Sequence, residues 1–254
     1  MKSAIDHVRE VGRTAEGVRT LAPVDLFLDQ REARVFRLDQ PIIITIDGPA
    51  GTGKSSVSRA LAQRLGLDFL DTGAMYRAAA AIALDRGLSL SDHGLILDAV
   101  TDAEIGFDWS LDPPALLVFG DVMGDRIRKP EVTGVVSAIA GIRELRELMV
   151  VRQREIARKH PRLVTEGRDQ GSVVFPDARV KFYLDASPEV RAERRARQLA
   201  ELGQVVDVGA LRREIMARDQ SDMQRVDGPL VRPAGAVLID TSHHTREQVI
   251  EELE

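Results

Sequence analysis

From residue 41 onward the apolar positions of the chain alternate between two periods. The run Ile42-Ile43-Ile44-Thr45-Ile46 is continuous and mostly β-branched, which predicts a buried strand over 42–47. Val57, Ala60, Leu61 and Leu65 then recur at helical spacing, which predicts a helix over 55–65 closed by Gly66. The alternation repeats. Strands are expected at 68–70, 163–166, 180–184 and 236–240, and helices at 74–85, 130–140 and 142–159. Ser187-Pro188-Glu189 opens a long helix reaching about residue 202, with Ser as cap, Pro in the first turn and Glu near the positive end. A loop at 203–208 leads to a second charged helix ending near 224. Thr245 and Gln248 stand at capping-box spacing before the last helix. Strands alternating with helices of this size imply an α/β three-layer sandwich around a central parallel sheet.

Two stretches depart from this rhythm. In 88–134, residues 104–109 and 116–121 read as short strands around the turn Asp112-Pro113-Pro114, so a small β insert is expected there. Residues 1–40 are polar and mixed; 4–11 fit a short helix, and 24–37 fit strand and helix equally. The expected organisation is an N-terminal extension over 1–40, to which no role is assigned, and one domain over 41–254. The insert spans 88–134 and a helical lid spans 188–228.

Composition narrows the function classes. Lys and Arg total 35 against 40 Asp and Glu, so the net charge is -5 and the global basic footprint of a nucleic-acid binder is missing. An anionic ligand must instead be met by local arginine clusters. With no cysteine, disulfides and thiolate metal sites are excluded. No apolar run approaches the ~20 residues a spanning helix needs, and the N-terminus has no signal-peptide apolar region. A soluble cytoplasmic monomer without nucleic-acid or membrane partners is the expectation.

The chemistry starts where the first strand stops. Gly48-Pro49-Ala50-Gly51-Thr52-Gly53-Lys54-Ser55-Ser56 fits the phosphate-binding P-loop, flanked by a strand and a helix as that motif requires. Its backbone N–H groups would cradle phosphate oxygens, Lys54 would reach the β- and γ-phosphates, and Ser55 would hold Mg²⁺. Two further strand ends carry polar groups. After the second strand, Thr72 stands where it can cap the next helix, with Tyr76 and Arg77 one turn on; Arg77 can fork onto a phosphate. After the 163–166 strand come Glu166-Gly167-Arg168-Asp169, where Gly167 would admit a ligand, Arg168 offers donors and Glu166 would hold Mg²⁺ through water. Arg191, Arg194, Arg195 and Arg197 on one helix, then Arg212, Arg213, Arg218 and Arg225 on and just after the next, suggest a lid over phosphates, with two or three of the eight in contact.

Together, residues 46–55, 70–77 and 166–177 and the spacing Arg218-Asp219-x-x-Asp222-x-x-Arg225 resemble the bacterial cytidylate kinases, from about Ile42 to the C-terminus. The resemblance implies transfer of a phosphoryl group from ATP to CMP or dCMP with Mg²⁺. It places the insert in a monophosphate-binding subdomain. Tyr76, Arg77 and Arg168 would hold the acceptor phosphate beside Thr72, and Asp169 would read the cytosine amine. Ser137 and Arg146, aligned through Pro130-Glu131-Val132, would complete the base pocket. Arg218, Asp222 and Arg225 would act from the lid, with Asp222 at the ribose. Lys54, Arg77, Arg168, Arg218 and Arg225 are the expected catalytic set. An extra residue near Arg126 unsettles the alignment of Arg128. Ser221 and Met223 stand where relatives often carry charge, and Gln170 replaces an apolar residue, a change expected to be harmless. Two other readings stay open: a kinase of the same fold acting on UMP or a small metabolite, and a nucleotide-binding regulator with little turnover.

Overall fold

The structure, a computed structural model, describes residues 40–254 apart from Leu202. The expectations for 4–11 and 24–37 lie outside the described residues. Strand β1 (Ile42–Asp47) coincides with the β-branched run. Ile44, Thr45, Ile46 and Asp47 are all buried. Successive side chains of a strand face opposite ways, so both faces of β1 are covered. It pairs in parallel with β6 (Arg162–Gly167) on one side and β7 (Val180–Asp185) on the other. β2 (Asp68–Asp71) and β8 (Val237–Asp240) extend the sheet to the order β2-β6-β1-β7-β8, parallel throughout. The register sets Asp71 beside Glu166, and Asp47 beside both Gly167 and Tyr183.

Helix α1 (Lys54–Leu65) packs on β6 and against the C-terminal helix α8 (Arg246–Leu253), which Thr245 and Gln248 cap reciprocally. Helix α2 (Thr72–Asp85) is buried along most of its length, with Ala78, Ala79, Ala80 and Ala81 fully enclosed. Those short side chains let α3 (His93–Asp102) and α4 (Pro130–Ala140) approach its backbone closely. Helix α5 (Arg143–Lys159) follows α4. The charged pair expected as a lid is α6 (Pro188–Glu201) and α7 (Val208–Gln224), packed on each other.

The insert differs from expectation. β3 (Gly106–Asp108), β4 (Ala115–Val118) and β5 (Asp121–Val122) form a small antiparallel sheet, but α3 precedes it in a stretch with no expected helix. The signal was the spacing of Ile96, Ala99 and Val100, all buried and facing α2. Trp109 stacks on His160 with ring centroids 3.7 Å apart. The His160 Nδ1 donates to Asp68 Oδ2 at 2.9 Å, which ties the insert to the start of β2.

Candidate active site

Three loops leave the carboxyl ends of β1, β6 and β2, the place where parallel sheets bind ligands. The β1 loop begins at Gly48, whose φ is 147° and where an added Cβ would lie 2.0 Å from the Leu184 carbonyl oxygen. No other residue fits so close to β7. The loop then folds over its own carbonyl: Thr52 Oγ1 and Lys54 Nζ both donate to Pro49 O, at 3.2 and 2.7 Å. Lys54 is buried. Burial, and then the Arg168 charge, push its amine down to about 7.

Ser55 Oγ donates to Glu166 Oε1 across the β1–β6 boundary in a short hydrogen bond. Asp71 stands level with Glu166 on β2, and burial followed by the Glu166 charge raises its carboxyl to about 7. One hydroxyl and two crowded carboxyls form a hard oxygen set, which suits Mg²⁺ completing its shell with water and phosphate. Asp71 was not singled out in the sequence; its signal was the strand-end position. It also caps α2, accepting from Ala74 N at 2.9 Å. That corrects the expectation for Thr72, whose Oγ1 instead donates to Glu166 O at 2.6 Å and joins the ends of β2 and β6.

Gly167 also has a reason other than ligand approach. A Cβ there would lie 2.8 Å from Thr72 Oγ1 and 2.9 Å from the Gln170 side chain, so the glycine makes room for neighbours within the fold. Gln170 is not a neutral replacement either. Its buried amide accepts from Thr165 Oγ1 at 2.9 Å and donates to Gln153 Oε1 at 3.1 Å.

The cations converge beyond these strand ends. Arg77 on α2 donates to Thr133 Oγ1 at 2.9 Å and to Ile127 O at 3.3 Å. Burial lowers its pKa; Asp71 opposes the shift, while Arg195, Arg168 and Arg128 add to it. Arg218 on α7 is pushed down to about 10 by burial and then by Arg168. Its Nε is buried without a hydrogen-bond partner among the described residues. Arg168 donates to Asp222 Oδ2 at 3.1 Å, and Asp222 also faces Arg225 at 3.6 Å. Lys54, Arg77, Arg168 and Arg218 thus surround a common space and repel one another. An anion placed among them relieves that repulsion.

Beside this cluster lies a second, drier corner. Arg146 and Asp169 form a buried ion pair, and Arg146 Nη1 donates to Ala140 O at 3.2 Å. Burial raises the Asp169 carboxyl despite Arg146, Arg225 and Arg168. The Arg146 guanidinium lies 5.5 Å from the Tyr76 ring centroid, and burial pushes the Tyr76 hydroxyl up to about 12. Ser137 is half-buried on α4, one turn before Ala140. The lid reaches this corner. Arg225 folds back on Gly228 O at 2.6 Å, and Gly228, with φ 61°, rests on the pair: a Cβ there would meet Arg146 Nη2 at 2.1 Å.

The remaining lid arginines divide by role. Arg191 pairs with Asp219 at 2.6 Å and donates to Ala50 O at 3.1 Å, so it clamps α6 and α7 to the P-loop. Arg194 donates to Thr241 O at 2.6 Å, and Arg212 pairs with Glu189 at 2.7 Å on the surface. Arg213 sits 4.0 Å from Asp207. Arg128 lies by Arg77, and Arg126 pairs with Glu131 at 2.9 Å. A cavity of about 920 Å³ opens on the other side of Pro49, bounded by Asp185, Ser242, Met216, Asp219 and Met223.

A parallel sheet ending in a P-loop, with a second cation cluster facing that loop, defines a P-loop kinase. A family model described as cytidylate kinase matches residues 44–254. A cytidylate kinase of Rhodococcus opacus (strain B4) is 48% identical over 215 residues, covering 82% of this chain and 91% of the relative. A cytidylate kinase of Nocardia farcinica (strain IFM 10152) is 44% identical over 215 residues, covering 85% and 93%. A bifunctional pantoate ligase/cytidylate kinase of Synechococcus sp. (strain JA-3-3Ab) is 45% identical over 82% of this chain, though that span is 39% of the larger protein. The chain belongs to the cytidylate kinase family.

Proposed function

We propose that the protein transfers the γ-phosphoryl group of ATP to CMP or dCMP, releasing ADP and CDP or dCDP. The observation that carries this is the facing arrangement: the P-loop with Lys54 on one side, and Arg77 and Arg168 beside the buried Arg146–Asp169 pair on the other. An oxygen of the acceptor phosphate attacks the γ-phosphorus, and the bond to the β-phosphate oxygen breaks. That oxygen is already anionic, so no general base is required, and catalysis is positioning plus charge neutralisation. The backbone amides from Gly48 to Ser56 cradle the donor phosphates, and Lys54 charges as it meets the β- and γ-oxygens. Arg77 and Arg168 hold the acceptor phosphate, while Arg218 and Arg225 neutralise charge from the lid. Asp222 faces the ribose.

Asp169 accepts from the cytosine amine and Ser137 and Arg146 wall the base; Tyr76, expected at the acceptor phosphate, walls the base instead because its ring lies against Arg146. Mg²⁺, when bound, supplies charge neutralisation across the phosphates; Ser55 would hold it, with Glu166 behind through water. The cavity beside Pro49 receives the donor nucleoside. Both halves of the site come from one chain, which supports a monomer, and soluble nucleotides as substrates support a cytoplasmic enzyme. Among the described residues no helix is long and apolar enough to cross a membrane.

A coupled assay of ADP release with CMP, dCMP, UMP, AMP and shikimate tests the reading. CMP and dCMP are expected to be the preferred acceptors; if they are no better than AMP, the proposal is wrong. Lys54 supplies a second test. Its amine is lowered to about 7 in the free protein by burial, and a bound triphosphate raises it again. Binding ATP at about pH 8 is therefore accompanied by proton uptake. Titration calorimetry in buffers of different ionisation enthalpy reads that proton, and Lys54→Met abolishes the uptake.

A further inference from the structure

Asp47 is the last residue of β1, directly before the P-loop, and it is fully buried. Oδ1 accepts from Gln170 N and Oδ2 from Gly171 N, each at 2.7 Å. Those two amides open the tight helical turn Gln170–Val174 that follows Asp169 immediately. The same turn is gripped from two further directions. The Gln170 amide takes the Thr165 hydroxyl of β6 and donates to Gln153 of α5. Gln153 lies two turns after Arg146 on that helix, and Arg146 is the partner of Asp169. Asp169, already paired with Arg146, thus leads a turn fixed to three elements. Among the described residues, Asp47 hydrogen-bonds it to the strand that carries the donor loop, where Thr45 also packs against Gly171. Besides burial, which raises the Asp47 carboxyl most, the charges that act on it are those of Asp169, which raises it, and Lys54, which lowers it.

We propose that Asp47 and Gln170 are positioning residues for recognition of the acceptor base. Asp47 registers the Asp169 turn on the P-loop strand, and Gln170 registers it on the Arg146 helix. The inference rests on the reading that Asp169 accepts from the cytosine amine. A carboxylate suits the role because both of its partners are donors. An asparagine offers one acceptor and turns an N–H toward the other donor. A role confined to folding would lower stability without separating the two substrates; a positioning role separates them.

The test compares Asp47→Asn, Gln170→Leu and Asp169→Asn in the full chain. Each variant is measured for thermal midpoint, KM for ATP, KM for CMP and the CMP-to-UMP ratio of kcat/KM. Asp47→Asn is expected to raise KM for CMP about tenfold and to lower the CMP-to-UMP ratio comparably, with KM for ATP moving less than about threefold. Gln170→Leu shifts the same quantities in the same direction. Equal losses toward ATP and CMP, or a lower midpoint with an unchanged ratio, overturn the inference. If Asp47→Asn does not fold, Gln170→Leu decides between the same outcomes. If Asp169→Asn leaves the ratio unchanged, the base-reading assignment fails and takes the inference with it. If Asp169→Asn shifts the ratio while Asp47→Asn and Gln170→Leu do not, only the inference fails.

Discussion

Replacing Lys54 with alanine lowers turnover by about a thousandfold, because one cation aimed at the transferring phosphoryl group contributes on that scale. The position is specific. Lys54 Nζ rests 2.7 Å from Pro49 O, inside a loop whose first glycine admits no side chain. The variant is expected to fold as well as the parent at neutral pH. The folded amine is depressed to about 7 from an ordinary 10.5. Between those values the unfolded chain binds the additional proton, so the contribution of Lys54 to stability rises with pH across that window. Below it, the buried ammonium is a burden that alanine removes. Coupled ADP release gives kcat, and thermal melts at several pH values give the rest. A variant that retains a tenth of parental turnover would show that the loop binds the donor without acting on the transfer.

Asp169→Asn is expected to lower kcat/KM for CMP about a hundredfold and to narrow or reverse the preference over UMP. On the proposed reading the carboxylate accepts from the cytosine amine, and uracil presents an oxygen at that place. An asparagine can turn its N–H₂ toward that oxygen. It also leaves the buried Arg146 guanidinium facing a neutral group, so part of the loss comes from an uncompensated charge. Measuring both pyrimidines separates the two effects: charge loss hurts both, while altered recognition hurts CMP alone. An unchanged ratio would remove Asp169 from base recognition.

Residues whose role follows from short-range pattern were legible in the sequence. The Ile42–Asp47 strand, the loop to Ser55, the Thr245–Gln248 cap and α4 were read within a residue or two, because β-branched runs, glycine spacing and caps act locally. The residues misread take their role from distant partners. Gln170 looked neutral because Thr165 and Gln153 meet it only in the fold. Arg191 was left among eight lid arginines with no role of its own, and its partners Ala50 and Asp219 make it a clamp. Asp71 took the capping role expected of Thr72, because the register of β2 on β6 turns the Thr72 hydroxyl toward Glu166 O and leaves the Asp71 carboxylate to cap the helix. Helix α3 was hidden because its apolar spacing lies in a stretch already broken by turn residues.

The strand order β2-β6-β1 has a consequence of its own. The ends of these three adjacent strands are fixed in register, Asp71 beside Glu166 and Gly167 beside Asp47, and neighbouring strands lie about 4.8 Å apart wherever a ladder forms. The loops that lead to Lys54, Arg168 and Arg77 therefore start from points spaced by the main chain, while Lys54 and Arg77 themselves stand on α1 and α2. Core substitutions that keep the ladder leave that spacing of the strand ends alone, however much stability they remove. A one-residue slip of β6 would instead turn every one of its side chains to the opposite face and carry Glu166 and Arg168 away together. The sheet thus sets where the strand ends stand, and the loops and helices that leave them decide which side chains meet there.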